Sequence, residues 1–193
     1  SKADYVATGG TESDYGDNGK NDKGPLTLLK QLKKDTDEWK GTITPLNYTM
    51  NQTGQTSNAK YTIDYSSYKA RLITAQEMAK ITENTSWNES TATSDFYFDT
   101  NTTTSSDTCK YGNTTGCKYG WLYDRTNIEC TTFGCLNNSD QRTYGYWTAS
   151  SRAANFSDSW YVYLGSGVGH GHVNNDYNVG VRPVITVSKS NLS

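Results

Sequence analysis

The most reactive side chains crowd toward one end of the chain. Both histidines, His170 and His172, stand two apart within SWYVYLGSGVGHGHVNNDYN. On a strand, positions two apart share a face. His170-Gly171-His172 therefore forms half of a possible metal site, with Asp158 or Asp176 as candidate third ligand. Two exposed histidines in a variable loop are the commoner outcome, so no metal and no cofactor is assigned. Ser150 or Ser151 with His170 would make a nucleophile and base, but no nucleophile-elbow motif surrounds either serine. Asp64, Glu77 and Asp124 show no paired spacing. Asn174, Asn175 and Asp176 are adjacent but do not make an EF-hand loop, and Asp95, Asp99 and Asp107 have no calcium motif around them. No catalytic residue is assigned, and a non-enzymatic role is expected.

The four cysteines, Cys109, Cys117, Cys130 and Cys135, lie close together. Short loops between cysteines in a Thr/Asn-rich chain favour disulfides and an oxidising compartment. A zinc site would show shorter Cys-x-x-Cys pairs. Pairing Cys109 with Cys117 and Cys130 with Cys135 is preferred, but the sequence alone leaves all three connectivities open.

Composition narrows the partners. The chain has 193 residues, which suits one domain with an elaborate insertion. Hydrophobic residues make up 33% and mean hydropathy is -0.81, yet 12% are aromatic, enough for a small Tyr/Trp-rich core under a polar skin. A net charge of -2 does not suit neutralising phosphates, so nucleic acid is not expected as a partner. No apolar run reaches the length of a membrane span. The chain starts at Ser1-Lys2-Ala3, which reads as an ectodomain whose leader or anchor has been removed, secreted or displayed at a cell surface. Asn47, Asn51, Asn88 and Asn113 head glycosylation sequons that matter only in a eukaryotic secretory pathway.

The elements that position these residues follow from periodicity. Residues 1–23 read as an extended leading segment. A helix starts at Pro25, with Leu26, Leu29, Leu32 and Trp39 on one face, Lys33, Lys34, Asp35 and Asp37 toward water, and Gly41 as its stop. Ala59–Tyr65 alternates like a strand. Lys69–Ile73 leads into a second helix, opened by a Thr74/Glu77 capping box, with Met78, Ala79 and Ile81 inward. From 84 to 143 periodicity vanishes in a long insertion punctuated by Trp87, Phe96, Tyr97, Phe98 and Trp121. A short element is expected near Gly120–Tyr123, and disulfides and aromatics must pin the rest. Short strands then fill 146–187: Tyr146–Ala149, Ser159–Leu164, His172–Asn174 and Val181–Val187. Pro183 places the last at an edge or bulge.

The order ARLITAQE at 70–77, YWTAS at 146–150, WYVYL at 160–164 and GVRPVI at 180–185 resembles the C-type-lectin-fold proteins of bacteria and phages. The resemblance is to their formylglycine-generating-enzyme-like branch and to the variable proteins of diversity-generating retroelements. It covers roughly residues 60–187. It implies an α+β C-type-lectin-like fold: two helices, short antiparallel strands and a long irregular loop region, in a single domain over 1–193. It extends to pilin-like surface proteins of Gram-positive bacteria, where a hydrophobic N-terminal helix would supply the membrane anchor. Neither Glu-Pro-Asn nor Gln-Pro-Asp with Trp-Asn-Asp occurs here, so calcium-mediated sugar binding is not implied. All four cysteines precede Tyr146, unlike the reactive pair of the formylglycine-generating enzymes.

Residues 150–178 are nearly all Ser, Asn, Asp, Tyr, Gly or His between a few apolar positions. Such stretches are usually turns. They are also what adenine-directed mutagenesis of Asn codons yields, and what paratopes use: rigid Tyr with adaptable Ser, Gly and Asn. The resemblance thus implies a binding face for a protein or glycan ligand on another surface. Trp147, Trp160, Val162, Leu164, Val173, Val181 and Val184 would hold the scaffold, with Arg71 and Arg182 buried or semi-buried in it. Tyr161, Tyr163, His170, His172, Asn174, Asp176 and Tyr177 would point outward, and Ser151, Arg152, Asn155 and Asp158 would form an adjoining loop. All are expected in one contiguous patch. A structural pilin-like subunit is the alternative, and a formylglycine-generating-type enzyme a weaker one.

Overall fold

The computed structural model describes residues 24–37, 51–53, 62–99, 109, 115–123, 145–155, 157–163, 166–173 and 179–192. Among them the architecture is α+β, with two helices and three sheets. Helix α1 spans Leu26–Thr36, with Pro25 one position ahead of it as N-cap. Leu28, Leu29 and Leu32 are buried, while Lys34, Asp35 and Asp37 face water. Lys33 reaches forward four residues to Asp37 at 2.8 Å, a pairing that supports the last turn. Asp37 caps the helix; Trp39 and the expected stop at Gly41 lie outside the described residues.

Strands β1 (Asn51–Thr53) and β2 (Thr62–Asp64) pair antiparallel. Strand β3 (Ala70–Leu72) is wholly buried, lies against α1, and leads into helix α2 (Ala75–Ile81). The capping box forms as the sequence specifies. The Thr74 hydroxyl accepts from the Glu77 backbone N–H at 3.0 Å, and the Glu77 carboxylate accepts from the Thr74 N–H at 2.9 Å. Met78 and Ala79 are buried; Ile81, expected inward, is 40% exposed because the helix ends there and turns away. Arg71 is buried as expected. Its guanidinium donates to both oxygens of Glu77, at 2.7 and 2.5 Å, and to the Leu72 carbonyl.

The main sheet has five strands: β4 (Phe96–Tyr97), β7 (Gly167–His172), β6 (Asp158–Tyr163), β5 (Gly145–Ser151) and β8 (Val179–Gly180), in that order. All pairs are antiparallel except β5 with β8. Strand β9 (Pro183–Ile185) instead pairs with β3, in an edge position that Pro183 tolerates. The expected strand over 181–187 is thus shorter, at Pro183–Ile185, and lies outside the main sheet, which takes the preceding Val179–Gly180 instead. The expected His172–Asn174 strand lies earlier, at Gly167–His172.

Both faces of the main sheet are covered by apolar side chains. One carries Trp147 and Ala149 against Leu28, Leu29, Leu72, Val173 and Val179. The other carries Tyr146, Trp160, Val162 and Val168 against Ala75, Met78, Phe96, Phe98 and Leu122. Trp160 is completely buried, with the Trp87 ring edge-on at 5.1 Å. The aromatics of the irregular region therefore do fasten it to the sheet. The Cys109–Cys117 disulfide, the pairing preferred from sequence, closes a loop within that region, and the short 3-10 turn at Gly120–Leu122 ties it to the sheet, its Leu122 carbonyl accepting from the Tyr146 hydroxyl at 2.8 Å. Arg182, expected at least semi-buried, is exposed; it hydrogen-bonds the Leu122 carbonyl at 2.8 Å and lies over the Tyr146 ring. Val181 and Val184 are only half-buried.

Candidate ligand-binding face

Strand register decides which candidate residues share a surface, because directly paired residues point the same way. Tyr161 pairs with Trp147 on one side and Gly169 on the other, and Tyr163 pairs with Gly167. Tyr97 meets Gly167 from the far side of β7. These side chains form a row across four strands: Tyr97 to Tyr163 at 6.3 Å, Tyr163 to Tyr161 at 6.2 Å, Tyr161 to Trp147 at 5.6 Å. Each pair is edge-on, the arrangement that ring quadrupoles favour. Exposure falls along the row, from 49% at Tyr97 to 3% at Trp147. The inner end is anchored in the core and the outer end is open to solvent.

Glycine makes the row possible. Gly167, Gly169 and Gly171 leave this face of β7 without side chains, and the Tyr163 ring occupies the space. A β-carbon on Gly169 would stand 3.2 Å from Tyr163 Cδ1. The alternation in GVGHGH was the sequence signal for a strand with one bare face. Burial, then the hydrogen bond with Tyr97, then the Tyr97 and Asp95 charges hold the Tyr163 hydroxyl protonated far above the usual tyrosine range. It therefore serves as a neutral donor and acceptor.

The other face carries a different chemistry. His170 pairs with Trp160 and His172 with Asp158. His170 Nδ1 lies 2.7 Å from Asp95 Oδ1, and His172 Nδ1 lies 3.3 Å from Asp158 Oδ1. Asp158 Oδ2 also accepts from Arg152 Nη1 at 3.0 Å, Arg152 Nη2 donates to the Thr93 carbonyl at 2.6 Å, and the guanidinium lies over the Trp160 ring.

The expectation of one contiguous patch is therefore overturned. Tyr161 and Tyr163 stand on one face of the sheet, and His170 and His172 on the other, because odd and even positions of paired strands point oppositely. Ser151 and Asp158, expected on an exposed loop, are buried strand residues at 3% and 4% exposure. Arg152 and Asp158 hold each other across the β5–β6 hairpin. Asn155 shapes that hairpin, its side-chain oxygen accepting from the Ser157 N–H and hydroxyl. Asn174, Asp176, Tyr177, Cys130, Cys135 and Leu164 lie outside the described residues.

No family model, curated protein or solved structure matches the chain. The reading of the site rests on its own geometry. Sequence reasoning missed Tyr97 and Asp95, which sit in the irregular region. The Phe96-Tyr97-Phe98 run was the available signal: the flanking phenylalanines are buried and the middle ring is exposed. Ser150 is committed to structure, its hydroxyl donating to Glu89 at 2.5 Å and accepting from the Ala75 N–H at 2.9 Å. Among the described residues, no three His, Cys, Asp or Glu side chains gather as a metal site, and no helix is long and apolar enough to cross a membrane.

Proposed function

We propose that this chain is a non-catalytic recognition domain of C-type-lectin-like fold, secreted or displayed at a cell surface, that binds a protein or glycan ligand through the Tyr97–Tyr163–Tyr161 row. The observation that carries the reading is the row itself. Tyrosine rings on a glycine floor, fixed at one end by buried Trp147, present rigid amphipathic area with little entropy left to lose on binding. Support for the fold comes from β3, which carries Arg71-Leu72, runs into the Thr74/Glu77-capped helix and is closed by β9. The disulfide is compatible with an extracellular setting. Exchange of outward tyrosines between sibling copies, with Trp147, Trp160 and Val162 unchanged, is the pattern a diversified binding surface leaves.

The test is direct. The labelled full chain is screened on glycan and surface-protein arrays beside a Tyr97→Ala/Tyr163→Ala variant. Loss of the wild-type signal in a variant that melts within a few degrees of wild type is expected. Undiminished binding by the variant overturns the assignment.

A further inference from the structure

Each histidine of β7 has a carboxylate set against the same ring atom. Asp95 lies at Nδ1 of His170 and Asp158 at Nδ1 of His172. The two carboxylates come from opposite flanks of β7: Asp158 from β6, and Asp95 from the residue just before β4. The rings are partly open to solvent, with side-chain exposures of 32% and 54%. Among the described residues neither Nε2 enters a hydrogen bond or ion pair.

A carboxylate at one ring nitrogen fixes the tautomer with its proton on that nitrogen. The other nitrogen is left as a lone-pair donor of raised basicity, as metal-ligating histidines commonly are. His170 has this partner at 2.7 Å, while Asp158 stands 3.3 Å from Nδ1 of His172, an ion-pair distance rather than a hydrogen bond. The two rings are two positions apart on one strand face, where Cα atoms stand about 6.6–6.8 Å apart.

We propose that Nε2 of His170 and Nε2 of His172 together bind a divalent late transition metal, with Cu(II) held most tightly. Imidazole suits this class of ion, and affinity for a given nitrogen site rises along the first row to a maximum at copper. Tetragonal Cu(II) takes two adjacent equatorial nitrogens and completes its sphere with water. Asp158 is not the third ligand the sequence suggested: one oxygen faces Nδ1 of His172 at 3.3 Å and the other accepts from Arg152, so it stands behind the site rather than in it. Asp95 places negative charge beside the cation, while the charge of Asp158 is balanced by Arg152. The two histidine rings lie on the face opposite the tyrosine row, so metal binding read at His170 and His172 stands or falls independently of the proposed recognition function, although Asp95 also lies near Tyr163.

Cu(II) alone is added in substoichiometric amount to the full chain and read by electron paramagnetic resonance and electron spin-echo envelope modulation. Modulation from the remote nitrogens of two imidazoles is expected. His170→Gln and His172→Gln should each reduce it to the pattern of one imidazole. Asp95→Ala should weaken binding by about tenfold or more and shift the quadrupole coupling of one remote nitrogen, which a merely structural role would not move. His172 is the more exposed ligand, so His172→Gln keeps the test valid if His170→Gln fails to fold. Absence of remote-nitrogen modulation in wild type, or a two-imidazole pattern that survives either substitution, overturns the proposal.

Discussion

The ring of Tyr163 lies over Gly169, where an added β-carbon would stand 3.2 Å from Cδ1 and 3.4 Å from Cε1. The neighbour is a ring that can tilt. Gly169→Ala is therefore expected to leave the melting temperature within a few degrees of wild type while altering near-ultraviolet circular dichroism and ligand binding. Gly167→Ala is expected to behave differently. Its β-carbon would meet the Phe96 carbonyl oxygen at 2.4 Å, and that backbone cannot yield without parting β4 from β7. A large loss of thermal stability separates the two variants.

Glu77 joins a capping box to a two-pronged contact with Arg71. Removing it deprives the Thr74 N–H of its acceptor and leaves a buried guanidinium short of a partner. Glu77→Ala should cost about 2 kcal/mol in urea unfolding, kept this modest by solvent at the exposed edge of the carboxylate. Thr74→Ala removes one cap bond and should cost about 1 kcal/mol.

Two carboxyls at the start of this helix, Glu77 within it and Glu89 from the loop beyond, give opposite pH signatures. Burial pushes Glu77 up, but the Arg71 hydrogen bonds and the Thr74 backbone bond outweigh it, so its pKa lies below the usual 4.5. Its stabilisation is present above 4.5 and is lost as pH falls through the lowered value. Glu89 is the reverse. Burial raises it, against the bonds from Ser150 and the Gln76 backbone. The folded state then binds more protons than the unfolded one, and stability drains away as pH rises from 4.5 through the raised value. Glu89→Gln, still able to accept from Ser150 and Gln76, should flatten that loss in chemical denaturation measured between about pH 4 and 7.

Arg152 and Asp158 form a buried pair, with side-chain exposures of 14% and 5%. Either single alanine substitution strands the other charge and should cost about 3–5 kcal/mol. The double substitution should cost clearly less than the sum of the singles, measured as a coupling energy by a double-mutant cycle. Additive losses would mean that the two side chains stabilise the hairpin independently.

Reduction of Cys109–Cys117 reopens a short loop, with a sequence separation of 8. Chain-entropy reasoning gives about 2–3 kcal/mol. A lower melting temperature in reductant, absent in a Cys109→Ala/Cys117→Ala variant, is the expected readout.

Local patterns were the legible part of the sequence. The Thr74/Glu77 box, Leu29 and Leu32 of α1 and the alternation of Trp160 and Val162 each act within a few residues, and each appears where the pattern puts it. The faces of the sheet were not legible. Alternation along β6 says that Tyr161 and Trp160 point oppositely, but not that a second core waits beneath Trp147. Tyr161 is half-buried against that core rather than simply outward. The partners of Asp158 and His170 were hidden for the same reason: Arg152 and Asp95 reach them through hairpin and edge geometry that no spacing encodes. Tyr97 entered the site from a stretch whose only regularity was aromatic content.

Strand β3 finds its partner late, since Leu72 is matched with Pro183. During synthesis the first leucine-lined helix and its neighbouring strand leave the ribosome long before Trp147, Ala149, Val173 and Val179, which cover them in the first core. Apolar surface must then wait, uncovered, for the tail end of translation. Contacts so distant along the chain also slow folding. A nascent chain stalled before residue 145 should accordingly be protease-sensitive throughout, however complete its helices.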